Sequence, residues 1–127
     1  MPSTTTYERG QVIVVAVPFS DHSGVKPRPG LVVSTAAFHR TLPDILVCPI
    51  SSQPRYVRRP SLGDCPLSDW AAVGLRHPST VRVSKLLSVD KRIAGRVLGR
   101  LPDAAMRRIE STLKQAMGLM MGNAASE

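Results

Sequence analysis

Short β-branched runs dominate the first half of the chain. Residues 11–17 are almost wholly apolar and predict a strand buried in the core. Residues 31–35 and 45–50 predict a second and a third strand. Residues 80–83 predict a further short strand in which Arg82 faces away from its apolar neighbours. Several short strands of this kind favour a mainly β domain.

The segments between these strands are rich in turn residues. Residues 18–29 hold three prolines and a glycine, which predicts a loop that is long for a hairpin connection. Residues 51–69 combine arginines with prolines and predict a mobile, basic surface loop, with Trp70 packed beneath it. Residues 92–100 mix apolar and basic side chains, and this pattern fits either a strand or a helix.

The last part of the chain has helical periodicity. Apolar side chains recur at the spacing of one helix face, at Met106, Ile109, Leu113, Ala116, Met117 and Met120. Pro102 and Asp103 suit the first turn, and Gly118 and Gly122 are the candidates to end the helix. Short strands followed by one helix predict a small, mainly β barrel with a C-terminal α-helix. We expect one domain over 8–122, between flexible tails at 1–7 and 123–127.

The chain is strongly basic. Its 127 residues fit one domain, and a hydrophobic content of 43% is enough for a packed core, although aromatic residues make up only 4%. Seventeen Lys and Arg against nine Asp and Glu give a formal net charge of +8, and residues 51–127 carry thirteen of these cations and six of the acids. This excess predicts a polyanionic or acidic partner, although it also fits a charge that serves solubility alone.

Other features narrow the class of protein. Cys48 and Cys65 lie too far apart for a CxxC site, and Cys48 stands in an apolar run that predicts a small buried side chain. No group of His, Asp or Glu has metal spacing, so we expect neither a metal nor another cofactor. The first ten residues lack an apolar signal region, and no apolar run near them could span a bilayer. We therefore expect a reduced, cytoplasmic protein.

Two predicted strand ends carry polar groups suited to a phosphate. Arg28 stands just before one strand, and Ser51 stands just after another. RNA is cleaved without a metal when its own 2′-hydroxyl attacks the adjacent phosphate, provided that protons are moved and the added negative charge is stabilised. The planar guanidinium of Arg28 is suited to stabilising that charge, and the Ser51 hydroxyl is suited to holding the phosphate or the ribose. A strand-edge arginine and ordinary turn serines are the alternative interpretation.

The three histidines invite an acid–base role. His22 lies in the 18–29 loop close to Arg28 in the sequence, so it is a candidate for contact with a base or a phosphate. His39 and His77 are expected at the surface or in turns. The sequence alone brings no two of them together.

The chain also contains a series of short motifs in a fixed order. They are Arg9-Gly10-Gln11-Val12, Pro18-Phe19-Ser20-Asp21, Ser23-Gly24-Val25-Lys26-Pro27-Arg28-Pro29, Ala36-Ala37-Phe38-His39-Arg40, Pro49-Ile50-Ser51-Ser52, Asp69-Trp70-Ala71-Ala72-Val73-Gly74-Leu75, Pro78-Ser79-Thr80-Val81-Arg82 and Gly99-Arg100-Leu101. In this order and spacing the chain resembles the MazF/PemK (Kid) family of toxin endoribonucleases over roughly residues 8–120.

The resemblance implies an SH3-like β-barrel, and a homodimer with its RNA site at or near the dimer interface. It implies metal-independent, sequence-selective cleavage of single-stranded RNA through a 2′,3′-cyclic phosphate. The catalytic loop arginine and strand-end hydroxyl of the family match Arg28 and Ser51. The residues implied in RNA binding are His22, Lys26, Ser52, Gln53, Arg82 and Lys85. The implied partner is an antitoxin whose disordered, acidic segment occupies the RNA groove.

Two positions depart from the family pattern. Ser51 stands where many members have Thr, and Ser84 stands where some members have an acid, two residues after the basic residue that Arg82 resembles. If that acid moves the proton in those members, another group must do so here. Two other functions stay open: a binding module of the same fold, such as a gyrase-poisoning toxin, and a non-catalytic RNA-binding barrel.

Overall fold

Seven strands and three α-helices make up the part of the chain that the computed structural model describes, residues 6–18 and 24–119. The strands are β1 (Gln11–Pro18), β2 (Val25–Val32), β3 (Asp44–Ser51), β4 (Asp64–Pro66), β5 (Thr80–Arg82), β6 (Leu87–Asp90) and β7 (Ala94–Arg100). The helices are α1 (Ala36–Thr41), α2 (Pro54–Arg58) and α3 (Asp103–Met117). None of these helices is long and apolar enough to cross a membrane.

The strands pair antiparallel in the order β4-β5-β3-β2-β1-β7, and β6 pairs with β3 beside this path. β1 pairs with β2 from Val12 to Pro18. The ladder between β2 and β3 ends at Gly30 opposite Pro49, after which β3 pairs with β5 instead. The predicted mainly β fold with a C-terminal helix is confirmed, and β2 and β3 separate at a defined point.

Both faces of the central strands are covered, which explains why these strands are apolar at consecutive positions. The first core takes one face of β1, β2 and β3, with Val12, Leu31 and Cys48. The second core takes the opposite face, with their chain neighbours Ile13, Val32 and Val47. The predicted burial of Cys48 is therefore confirmed, and alternate residues of each strand serve different cores.

Helix α3 covers the first core with the face that its periodicity predicts. Its residues Met106 and Ile109 are buried against the sheet. Gly118 ends the helix in the left-handed conformation, with a φ of 69°. Of the two stops predicted from the sequence, the structure therefore uses the first. Met120 and Gly122 lie outside the described residues.

Strand β2 begins inside the segment predicted to be a loop. It starts at Val25 rather than at residue 31. Pro27 and Pro29 lie where β2 pairs with β1 on one side and, among the described residues, with no strand on the other. A missing amide hydrogen costs least on such a one-sided stretch. The loop prediction was therefore wrong over 25–29, while residues 19–23 lie outside the described part.

A turn, rather than strand pairing, brings the two ends of the sheet together. β4 and β7 are the ends of the strand path, so the sheet is open within the described residues. A Cβ atom at Gly74 would lie 2.5 Å from the carbonyl oxygen of Leu98, and one at Gly99 would lie 2.5 Å from that of Val73. Gly74 also has a φ of 88°. Because neither glycine has a side chain, the turn that contains Gly74 can pack against β7, and this contact completes a barrel-like shape.

The predicted basic loop over 51–69 contains regular structure. α2 and β4 both lie within it, and β4 pairs with β5. Elements of five and three residues are too short to show a periodicity in the sequence. Trp70 is half-buried against the first core. The ambiguous segment over 92–100 forms β7 from Ala94 onwards.

The folded domain begins before its predicted boundary. Tyr7 was assigned to the flexible N-terminal tail, but it is buried in the second core. Its hydroxyl lies 2.9 Å from the carbonyl oxygen of Ala94 and 2.8 Å from that of Gly95, at the start of β7. Tyr7 therefore belongs to the domain because it joins the N-terminal segment to the last strand.

Candidate functional site

A cleft opens where β2 and β3 separate. The ladder between them ends at Gly30 opposite Pro49. Continuing its register by two residues would set Arg28 opposite Ser51, but Ser51 pairs with Thr80 of β5 instead. The prolines of β2 favour this separation, because they have no amide hydrogen to donate to a neighbouring strand.

This first cleft has a volume of about 410 Å³. Its polar and charged lining residues are Arg28, Ser52, Arg76, His77, Ser79 and Arg96. Its apolar lining residues include Val14, Pro27, Pro29, Leu75 and Leu98. The walls thus come from β1, β2, the end of β3, the segment before β5, and β7. Folding brings together side chains that are far apart in the sequence.

A second cleft, of about 520 Å³, adjoins the first. The two clefts share Ser52 and His77. The other lining residues of the second cleft are Pro54, Val57, Arg58 and Pro78. We call the two clefts together the groove. Ser52 and His77 therefore lie at its centre, with Arg28 in one half and Arg58 in the other.

The groove is strongly cationic. Four arginines line it, and none of its lining residues in the described part of the chain is acidic. Arg58, Arg76 and Arg96 form no ion pair with any described residue. Arginine forks bind phosphate oxygens in bidentate fashion, so unpaired arginines in a groove suit a phosphate backbone. No three His, Cys, Asp or Glu side chains within 6–18 and 24–119 are grouped so that they could hold a metal ion.

The two serines at the end of β3, Ser51 and Ser52, occupy different positions. Ser52 is exposed and lines both clefts. Ser51 is the last residue of β3, and its hydroxyl accepts a hydrogen bond of 3.2 Å from the backbone N–H of Gln53. The structure therefore brings Ser52, rather than Ser51, together with Arg28 on the cleft wall.

Three further predicted RNA-binding residues that the structure describes, Lys26, Gln53 and Lys85, do not line the groove. Lys26 is exposed on β2, two residues before Arg28 and on the same face of the strand. Gln53 is exposed and directly precedes α2. Lys85 is exposed in a short 3₁₀ turn after β5. His22 lies outside the described residues.

Arg82 belongs to a separate cluster. Its Nε donates to Oδ1 of Asp64 at 2.6 Å, and its guanidinium lies 3.8 Å from the centre of the Tyr56 ring. The Asp64 side chain is 0% exposed, so Arg82 neutralises a buried carboxylate. Arg82 is therefore engaged within the protein, unlike Arg58, Arg76 and Arg96, which form no ion pair with a described residue.

The Arg82 cluster also supports helix α2. Tyr56 lies in α2, and Arg55 donates a hydrogen bond of 2.8 Å to its hydroxyl. Burial raises the pKa of Tyr56, but the hydrogen bond from Arg55 and the charge of Arg82 outweigh it and lower the pKa overall. Because α2 also carries Arg58, the cluster helps to position one wall of the second cleft.

The two histidines expected at the surface or in turns differ in their surroundings. His39 is buried, with Nδ1 2.7 Å from the carbonyl oxygen of Tyr7 and Nε2 2.6 Å from the hydroxyl of Ser34. The surface prediction for His39 was wrong because α1 packs this residue against the N-terminal segment. His77 is exposed, as expected, but it lines both halves of the groove.

Four lining residues were not assigned to the site from the sequence: Arg58, Arg76, His77 and Arg96. Arg58 was recognised only as part of a basic segment. The available signal for two others was the run Arg76-His77-Pro78, which places adjacent cationic and titratable side chains between a glycine turn and a strand. Arg96 could not be placed while 92–100 fitted both helix and strand. Its position in the cleft depends on the pairing of β7 with β1.

The fold and the groove together define a small barrel-like domain with a strongly cationic groove. Residues 8–117 match the family model described as "PemK-like, MazF-like toxin of type II toxin-antitoxin system". The chain belongs to this family, and the resemblance seen in the sequence is confirmed. A search of curated proteins found no significant match.

Solved structures of MazF toxins have the same fold. An endoribonuclease in complex with its cognate antitoxin from a mycobacterial species is 23% identical, with a TM-score of 0.73 over 91% of this chain and 98% of that chain. The Mycobacterium tuberculosis toxin MazF-mt6 is 20% identical, with a TM-score of 0.68 over 86% and 99%. A MazE-MazF structure from Deinococcus radiodurans is 21% identical, with a TM-score of 0.73 over 92% and 100%. These neighbours share the architecture at low sequence identity.

Proposed function

We propose that this toxin is a metal-independent endoribonuclease that cleaves single-stranded RNA at selected sequences. The groove is the observation that carries the proposal, because it places Arg28 and Ser52 beside three further arginines and no described acid. The naming of a structural neighbour as an endoribonuclease supports the reaction class. In this reaction the 2′-oxygen of one nucleotide attacks the adjacent phosphorus, and the products are a 2′,3′-cyclic phosphate and a 5′-hydroxyl.

Arg28 supplies the central electrostatic role in this proposal. Negative charge accumulates on the phosphoryl oxygens as the 2′-oxygen adds, and a positioned guanidinium stabilises that charge more than it stabilises the substrate. A serine hydroxyl at the end of β3 holds the phosphate or the ribose. Ser52 lines the cleft with Arg28, whereas Ser51 holds the turn that presents Ser52. Separate Ser51→Ala and Ser52→Ala variants distinguish the two hydroxyls.

Lys26, Gln53 and Lys85 lie outside the groove. Lys26 and Gln53 bind RNA at its edges, and His22 also contacts RNA. Lys85 meets RNA that extends beyond the groove. Arg82 acts on the site through α2, because its own charge is already engaged by Asp64.

The proposed partners follow from the same cationic surface. An antitoxin with a disordered, acidic segment competes with RNA for the groove, since both present spaced negative charges. The active form is a homodimer with the RNA site at or near its interface, and it acts in the cytoplasm. Complexes of structural neighbours with antitoxins support this choice of partner.

Cleavage of a long single-stranded RNA in excess EDTA tests the proposal. Wild-type protein is expected to give discrete cuts with cyclic phosphate ends, and mapping these ends also reveals the sequence preference. Arg28→Ala is expected to abolish cleavage while circular dichroism and the oligomeric state stay unchanged. The matched control is Arg92→Ala, because Arg92 is an 88% exposed arginine paired with Asp90 outside the groove.

Three results would count against the proposal. Intact RNA after incubation of several unrelated sequences with wild-type protein would favour a binding module of the same fold. Cleavage by Arg28→Ala at the wild-type rate would remove Arg28 from the reaction. Retardation of RNA without cutting, with a steep dependence on salt, would indicate a non-catalytic RNA-binding barrel.

A further inference from the structure

We propose that His77 is the general base of the reaction and takes the proton of the attacking 2′-hydroxyl. The inference rests on the proposed ribonuclease function and assigns the group that the sequence left open. Some relatives have an acid at the position of Ser84, and Ser84 is exposed in the short turn after β5, away from the residues that line the groove. The residues that line the groove are therefore the candidates for the proton acceptor.

The chemistry of the lining residues selects His77. Arginine side chains stay protonated in proteins and cannot accept a proton, so Arg28 is suited to charge but not to proton transfer. Serine hydroxyls do not accept a proton near neutral pH without help from a stronger base. Among the described residues that line the groove, His77 alone has a side chain that gains and loses a proton readily in this range.

The position of His77 suits the same role. It lines both clefts and shares this property with Ser52, so both residues lie at the centre of the groove. A nucleotide chain that follows the groove from Arg28 towards Arg58 must pass them. The charged groups that line the same groove as the imidazole are Arg76 beside it in the chain, Arg28 on β2, Arg96 on β7 and Arg58 on α2.

The backbone that carries His77 is held firmly although the side chain is exposed. The hydroxyl of Ser79 donates a hydrogen bond of 2.7 Å to the carbonyl oxygen of His77. Ser79 is buried, and its own carbonyl oxygen accepts a hydrogen bond of 2.9 Å from the N–H of Leu67. An exposed imidazole on a fixed segment keeps its place at the groove, as a proton-transfer group must.

The proposed step balances as follows. The O–H bond of the 2′-hydroxyl breaks, and its proton moves to a ring nitrogen of neutral His77. The 2′-oxygen forms a bond to phosphorus, the bond from phosphorus to the 5′-oxygen breaks, and the 5′-oxygen takes a proton from solvent water. The resulting hydroxide is neutralised by the imidazolium, which returns His77 to its starting form. Arg28 stabilises the phosphoryl oxygens throughout.

A single-turnover experiment tests this assignment. The substrate is an oligonucleotide with one ribonucleotide at the mapped cut, and its cleavage is followed as a function of pH. For wild-type protein, the rate constant should rise with pH along a limb set by one deprotonation. His77→Ala should slow cleavage by about 10²- to 10⁴-fold and lose this limb. Added imidazole should restore part of the rate, and only in this variant.

Matched variants separate catalysis from binding. Arg96→Gln should weaken substrate binding and keep the wild-type pH limb, because Arg96 contacts phosphate but moves no proton. His77→Ala should bind a 2′-O-methyl analogue as well as wild-type protein does. Loss of that binding would make His77 a binding residue and overturn the proposal.

Other outcomes also decide the matter. A limb that persists in His77→Ala but disappears in His22→Ala would assign the base to His22 instead. A His77→Ala defect that a 5′-thio leaving group repairs would show that His77 protonates the leaving oxygen, which overturns its assignment as the base. If wild-type protein cuts RNA, Arg28→Ala does not, and His77→Ala cuts normally, this inference fails while the proposed function stands. Intact RNA with wild-type protein would remove both.

Discussion

His39 and His77 lie in regions of opposite character. Around His39, the Tyr7 carbonyl can only accept, so Nδ1 carries the hydrogen, and Nε2 accepts from the Ser34 hydroxyl. Ser34 accepts in turn from the N–H of Leu46 at 2.9 Å, and Lys91 donates to the carbonyl oxygen of His39 at 2.6 Å. We call these groups the His39 network. In the groove, by contrast, Arg58, Arg76 and Arg96 converge without an ion pair to any described residue.

The comparison separates two uses of the same residue types. A buried histidine with both ring nitrogens engaged joins distant parts of the chain, and its polar atoms have no capacity left for a ligand. The groove leaves Arg58, Arg76 and Arg96 without ion-pair partners among the described residues, at positions where a phosphate chain could bind. Arg82 resembles His39 in this respect, because its partner is a buried carboxylate.

The largest expected effect comes from breaking the paired arginine. Arg82→Ala leaves the buried Asp64 carboxylate without its countercharge and should lower the free energy of unfolding by about 3 kcal/mol or more. Arg58→Ala, which removes an unpaired arginine of the groove, should change it by less than about 0.5 kcal/mol. Urea unfolding measures both values.

A double variant sharpens this test. Arg82→Ala combined with Asp64→Asn should be more stable than Arg82→Ala alone, because the uncompensated buried charge is gone. Equal stability of Arg82→Ala and wild-type protein would contradict the structural role given to this ion pair.

The two histidines provide the second test. His39→Ala removes two buried hydrogen bonds and leaves the Tyr7 carbonyl without its donor and the Ser34 O–H without its acceptor, so we expect a loss of about 2 kcal/mol in stability. His77→Ala should leave stability within about 0.5 kcal/mol of wild type. Thermal and urea unfolding of the two variants, measured side by side, check the difference. A destabilised His77→Ala with an unaffected His39→Ala would reverse the comparison.

The third test concerns binding rather than stability. Each phosphate contact on single-stranded RNA contributes about 0.7 to the slope of log affinity against log salt concentration. Replacing Arg58, Arg76 and Arg96 together by Gln should reduce this slope by about 2 units. A 2′-O-methyl RNA prevents cleavage during the titration. Arg92→Gln is the control, and an unchanged slope in the triple variant would exclude these arginines from phosphate binding.

The test with the smallest expected effect near neutral pH concerns Cys48 in the first core. Burial, followed by the nearby Cys65, raises the pKa of Cys48 from 9.0 to about 12. The thiol therefore stays protonated in the folded protein at pH 8 and should not react with a thiol reagent until the protein unfolds. The unfolded chain releases this proton from about pH 9, so stability should decline as the pH rises from there towards 12. Cys48→Ala should show a weaker decline.

The elements that the sequence predicts well depend on local pattern. β1, β3 and α3 were found because consecutive apolar runs and a helical stripe reflect how they meet the two cores. The first half of β2 was missed because its prolines usually end strands, and only the one-sided pairing that starts at Val25 makes them tolerable. α2 and β4 are too short to leave a pattern.

The site was predictable only in part, for a related reason. Arg28 and the Ser51-Ser52 pair were proposed together because they flank predicted strands, although Arg28 lies inside β2 and not before it. The choice between the two serines depends on how β3 turns towards β5, which no local pattern encodes. The same holds for Arg96, which reaches the cleft only because β7 pairs with β1.

Two glycines constrain which sequence changes this toxin can accept. Gly74 of the turn contacts the backbone of β7, and Gly99 of β7 contacts the backbone of the turn. The segment that carries Arg76 and His77 lines the proposed RNA site, where relatives can acquire new side chains. However, it is anchored where a single added Cβ atom would lie 2.5 Å from a carbonyl oxygen. The side chains between Leu75 and Pro78 can therefore vary, in nature or in a laboratory loop exchange, only if both glycines are kept.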